Sequence, residues 1–111
     1  MRDIKKRKPI EEAVQELKEH RKEIQCVNEW ALYMGYSRSY FSRKVKGMFG
    51  RTPKRILADN KLEMIKEEIE KQPHAIGYTI AVNTGLEDEK ALYKFLTTHF
   101  DTTLTDLRQG M

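Results

Sequence analysis

The chain has 111 residues, 39% of them hydrophobic and 34% charged, with a formal net charge of +4. This fits one small helical domain with one modest core, and the basic balance suits a polyanionic partner. A single cysteine excludes an internal disulfide and a Cys-rich zinc site; a polar N-terminus and the lack of any apolar run near the roughly 18 residues of a membrane span point to a cytoplasmic protein.

Residues 1–8 read as a basic arm, with Arg2, Lys5, Lys6, Arg7 and Lys8 set against Asp3. Taken alone, such an arm reads as a solvated tail. Pro9 opens the first helix, with Glu11 and Glu12 near the positive end of its dipole. Ile10, Ala13, Val14, Leu17 and Ile24 form its apolar stripe. A short helix follows from about Val27 to Met34, with Val27, Trp30, Ala31 and Met34 on one face. Gly35 ends it and Ser37 caps the next helix, which turns Tyr40, Phe41, Val45 and Phe49 inward and stops at Gly50.

Thr52-Pro53 starts a long helix with a hydroxyl cap and a first-turn proline. Its apolar positions are Ile56, Leu57, Met64, Ile65 and Ile69, and Gln72-Pro73 ends it. A second short helix through Ile80, Ala81 and Val82 reaches Gly85. Another carries Leu92, Phe95, Leu96 and Phe100, and a terminal turn holds Leu104 and Leu107. No polar–apolar alternation argues for a strand. The expected fold is all-α with about seven helices. Ala31 precedes Gly35 by the same interval as Ala81 precedes Gly85, an internal echo that suggests two helix-turn-helix units.

On the helix after Ser37, residues Ser39, Ser42, Arg43 and Lys46 share one stripe opposite Phe41 and Val45. From Ser37 to Arg55 every charge is positive: Arg38, Arg43, Lys44, Lys46, Arg51, Lys54 and Arg55. A solvated helix face usually mixes signs. Cations neutralise phosphates and release counterions, and arginine can pair with guanine in the major groove. Arg43 is the candidate base reader. Lys46, Arg51, Lys54 and Arg55 are candidate phosphate ligands, with Arg38 beside them. A helix from Pro53 to Lys71 would span roughly 28 Å. Two recognition helices so spaced could enter successive major grooves, roughly 34 Å apart.

As a set, Ala31, Gly35-Tyr36-Ser37, Phe41 and Gly50-Arg51-Thr52-Pro53 resemble the DNA-binding domain of AraC/XylS-type bacterial transcriptional regulators, over about residues 10–108. The resemblance implies two homeodomain-like helix-turn-helix units, at 27–50 and 75–101, joined by a linker helix at 53–71 in a domain of residues 9–111. It implies sequence-specific regulation of transcription, double-stranded DNA as partner, no cofactor, and binding as a monomer in the nucleoid. Ser39, Ser42 and Arg43 would face base edges, and Lys46 the backbone. In the second unit Lys90, Tyr93 and Lys94 occupy the DNA-facing positions.

The second unit departs from the family. Gly85-Leu86 stands for Gly-Phe, Leu92 replaces an aromatic, and Asp101-Thr102-Thr103-Leu104 replaces the closing glycine and proline. Gly77 replaces an aliphatic residue, which would weaken that helix by up to about 1 kcal/mol. From Ala75 onward Glu87, Asp88, Glu89, Asp101 and Asp106 outnumber Lys90, Lys94 and Arg108. Weaker or purely backbone DNA contact is therefore expected there. The alternative is a protein-interaction module whose second unit docks on RNA polymerase or another partner.

An enzyme is not expected, because His20, His74 and His99 lie far apart in sequence and no catalytic constellation forms. Cys26, just before a helix, reads as a buried or capping residue rather than an activated thiol. No helix is both basic and strongly amphipathic with exposed aromatics, as a membrane-surface role would require. The chain carries no effector-binding domain, which fits either a stand-alone regulator or a segment of a longer one.

Overall fold

Capping residues and apolar spacing divide the chain into short helices, and the computed structural model, which describes residues 7–110, has that form. A 3-10 turn at Ile10–Glu12 leads into α1 (Ala13–Glu19). Then come α2 (Val27–Met34), α3 (Arg38–Phe49), α4 (Pro53–Lys71), α5 (Gly77–Asn83), α6 (Glu89–Phe100) and α7 (Leu104–Gln109). The fold is all-α, with seven α-helices and no strand among the described residues. No helix among them is long and apolar enough to cross a membrane. The chain forms two compact units, which divide within α4 between Asn60 and Lys61. Of the basic arm, Arg2, Lys5 and Lys6 lie outside the described residues.

The first unit is built around Trp30. Its indole is fully buried, meets the Phe41 ring edge-on at 5.1 Å, and donates its N–H to the Ala13 carbonyl at 3.1 Å. Buried indoles need such a partner for the N–H. Leu17, Met34, Val45 and Ile56 close the core around this pair. Ala31 is fully buried in the same cluster.

Ile24 joins this core from outside α1. The helical spacing predicts Ile24 on the stripe of the first helix, but α1 ends at Glu19. A turn carries the chain onward: the Glu23 and Ile24 N–H groups both donate to the His20 carbonyl. The Gln25 amide donates to the carbonyl of Lys22 at 2.9 Å, which satisfies a group that a continuing helix would have paired. Apolar spacing marks the buried position here but not the helix end that precedes it. Cys26 is the N-cap of α2; it is exposed and its side chain makes no capping hydrogen bond.

The second unit packs Ile65 and Ile69 of α4 against Ile80, Ala81, Leu92 and Leu96, with Leu104 and Leu107 of α7 at its margin. Lys61 is half-buried and donates to the Thr84 carbonyl at 2.6 Å; burial pushes its pKa down. The Arg108 guanidinium donates to the Ala75 carbonyl and ties α7 to the segment before α5. Gly77 is the first residue of α5 and is buried. A Cβ there would stand 2.7 Å from a Glu89 carboxylate oxygen. The interior-helix penalty expected for this glycine does not apply at a first-turn position, where the bare backbone lets Glu89 approach.

Candidate nucleic-acid interface

The turn before α3 sets that helix. Gly35 takes a left-handed conformation, with φ of 90°, that a side chain would resist. The Tyr36 N–H then donates to the Ala31 carbonyl at 2.9 Å. Ser37 Oγ accepts from the Tyr40 N–H at 3.3 Å and so caps α3. At the other end Gly50, with φ of 73°, reverses the chain. Thr52 Oγ1 accepts from the Arg55 N–H at 3.2 Å and caps α4.

These elements bring most of the first-unit candidates together. Arg38, Ser42, Arg43, Lys46 and Lys54 line one cleft of about 460 Å³, with Thr52 and Pro53 at the start of α4 forming its far wall. Ser39 lies outside this lining and is exposed on α3. Phe41 and Val45, on the opposite side of α3, are fully buried, so the helix holds its polar stripe against a fixed core.

The charges run against the helix dipoles. The first turns of α3 and α4 contain no acid, and Arg38, Lys54 and Arg55 stand there instead. Cations at a helix N-terminus face its positive end and are destabilising by a few tenths to about 1 kcal/mol each. An anionic ligand would relieve that repulsion.

Two of the candidates are already partnered. Asp59 takes both Arg51 and Arg55: Arg51 Nη1 meets Asp59 Oδ2, and Arg55 Nε lies 3.2 Å from Oδ1. The positive run that ends at Arg55 is thus partly neutralised by an acid one helical turn later.

A second cleft of about 760 Å³ runs along the other flank of α3, past Tyr40, Lys44 and Met48. Tyr40 is only half-buried, where apolar spacing predicts it inward. Its ring stacks on Tyr36 at 5.4 Å, and the charged ends of Arg7, Arg43 and Lys44 lie 5.4–5.8 Å from its centroid. Cations gather there on the negative ring face. The Lys8 N–H donates to the Met34 carbonyl at 2.9 Å, and the Tyr36 hydroxyl donates to the Lys8 carbonyl at 2.6 Å. The end of the basic arm is therefore fixed beside the Gly35 turn. Arg7 and Lys44 are cations missing from the Ser39–Ser42–Arg43–Lys46 stripe; the aromatic pair Tyr36–Tyr40, four residues apart, was the available signal.

In the second unit, Lys90, Tyr93 and Lys94 are exposed on α6. Asp88 caps that helix by accepting from the Ala91 N–H at 2.9 Å, and Glu89 follows in its first turn. Compared with protein-family models, curated proteins and solved structures, the chain matches none of them.

Proposed function

We propose that the chain is a sequence-specific duplex-DNA-binding transcriptional regulator of AraC/XylS type. In this reading α2 and α3 form a helix-turn-helix and α3 enters the major groove. The observation that carries it is the cleft lined by Arg38, Ser42, Arg43, Lys46 and Lys54, held between two helix N-termini that contain no acid. Arg43 reads a base edge, Ser42 and Ser39 permit close approach, and Lys46, Lys54 and Arg38 neutralise phosphates. Arg51 and Arg55 become phosphate ligands when Asp59 releases them. Lys90, Tyr93 and Lys94 of α6 give weaker contact.

A second reading applies to the second unit. Ile76, Tyr78, Val82 and Tyr93 are 67%, 53%, 47% and 59% exposed, on a segment whose acids outnumber its bases. Apolar side chains so exposed support docking to another protein, with RNA polymerase as a candidate for a transcriptional regulator. The deciding experiment is selection of duplex sites from a random pool, followed by binding measured across a salt series. Enrichment of a defined site with a steep negative salt slope supports the DNA reading. A flat slope and no enrichment overturns it in favour of protein docking.

A further inference from the structure

Gly47 lies in the last turn of α3, and nothing in the fold demands a glycine there. Its backbone is not left-handed, unlike that of Gly35 or Gly50. It is exposed, and beyond its chain neighbours and the backbone of its own helix no protein atom lies within 4 Å of where a Cβ would stand. Alanine would hold the helix better, because glycine gives up more backbone entropy on folding. The position is distinctive in another respect. Gly47 and Arg43, one turn apart, line both clefts that flank α3. On one side stand Lys46 and Lys54; on the other stands Lys44, with Arg7 over the Tyr40 ring and Glu11 as the acid in that lining.

A bare backbone position with cations on both sides suits an anionic chain that must come closer than a side chain allows. We propose that one sugar–phosphate strand of the DNA crosses α3 at Gly47, with Lys46 and Lys54 on one side of the strand and Lys44 and Arg7 on the other. The inference rests on the DNA-binding reading and adds to it the point of closest approach. It also fixes the orientation of the groove, with bases toward the Ser39–Arg43 half of α3 and backbone over its C-terminal turn.

The test uses Gly47→Ala and Gly47→Leu in the full chain. Both residues are good helix formers, so each variant should melt about 2–5 °C above the wild type. Affinity for a duplex that the wild type binds should fall about tenfold for alanine and further for leucine. Stability and binding then move in opposite directions, which a simple folding defect cannot produce. Higher melting temperatures with unchanged affinity would overturn the crossing point while leaving the DNA-binding reading intact. A lower melting temperature in Gly47→Ala would also overturn it, since the glycine would then serve the fold. A wild-type chain without salt-dependent duplex binding would defeat the DNA-binding reading itself, and the inference with it.

Discussion

Set beside each other, α2 with α3 and α5 with α6 repeat one backbone plan and diverge in charge. The Tyr36 N–H donates to the Ala31 carbonyl, and the Leu86 N–H donates to the Ala81 carbonyl, each at 2.9 Å. Gly35 and Gly85 both have positive φ. Phe41 and Val45 fill one core where Leu92 and Leu96 fill the other. Thr52 caps α4 as Thr103 caps α7. The second turn is one residue longer: Tyr36 leads directly to the Ser37 cap, while Leu86 and Glu87 precede the Asp88 cap. Past that insertion, Arg43 corresponds to Lys94, Lys46 to Thr97, and Arg38 to Glu89.

The difference lies in how each plan places charge against its helix dipoles. In the first pair, cations stand at the positive ends of α3 and α4, at a cost to stability. In the second, Asp88 and Glu89 stand at the positive end of α6, where they stabilise the helix. At Lys46 the first unit holds a free-reaching ammonium. At Thr97 the second holds a hydroxyl turned back onto the Tyr93 carbonyl at 3.0 Å. In the first unit the cations oppose the helix dipoles; in the second the acids at the start of α6 agree with them.

Four experiments would break or sharpen this contrast. The largest effect is expected from Arg43→Ala, which should lower the preference for a selected site over random duplex by about 1–3 kcal/mol, or roughly fivefold to 150-fold. Lys94→Ala should cause a smaller and uniform loss in the same competition assay. The reverse ranking would make α6 the reader.

Cap substitutions come next and probe the shared plan. Ser37→Ala and Asp88→Ala should each destabilise by about 1 kcal/mol in chemical denaturation. Asp101, at φ of 49°, occupies the left-handed position that Gly50 holds in the first unit. Asp101→Gly should therefore gain about 0.5–1 kcal/mol. A loss would mean that the aspartate side chain supplies a contact that outweighs the backbone preference.

Asp59→Asn would remove the carboxylate charge that pairs with Arg51 and Arg55. Duplex affinity should rise a fewfold at low salt. The slope of log affinity against log salt should steepen by about 0.9 for each new phosphate contact. An unchanged slope would show that those arginines are structural. The smallest effect concerns Lys61 in the second unit. Its pKa in the folded chain lies below the ordinary 10.5, so the unfolded chain holds its proton to higher pH. Stability should rise as pH climbs through the interval between the folded and unfolded values. Lys61→Met should flatten that rise in denaturation series at alkaline pH.

Much of the fold was readable because helix ends carry local chemistry. Gly35, Ser37, Gly50 and Thr52-Pro53 set the limits of α2, α3 and the start of α4 through hydrogen bonds within a few residues. Ile24 was legible as a core residue but not as a turn residue, because apolar spacing reports burial without reporting helix continuity. The positive stripe of α3 could be read from residue types. The quenching of Arg51 and Arg55 could not be read from the run that ends at Arg55, since Asp59 lies one turn beyond it. Tyr40 was misplaced inward because an aromatic ring at an apolar spacing also serves as a platform for cations. Gly77 was read as a weakness because its partner, Glu89, sits in a different helix.

Trp30 gives the contrast an optical handle. It is the chain's single tryptophan, sealed in the first unit against Phe41. Indole emission therefore reports the melting of the first unit alone, whereas far-ultraviolet dichroism averages over all the helices. A separation between the two transitions would measure, without labels or mutations, how far the two halves of this chain live independent thermodynamic lives.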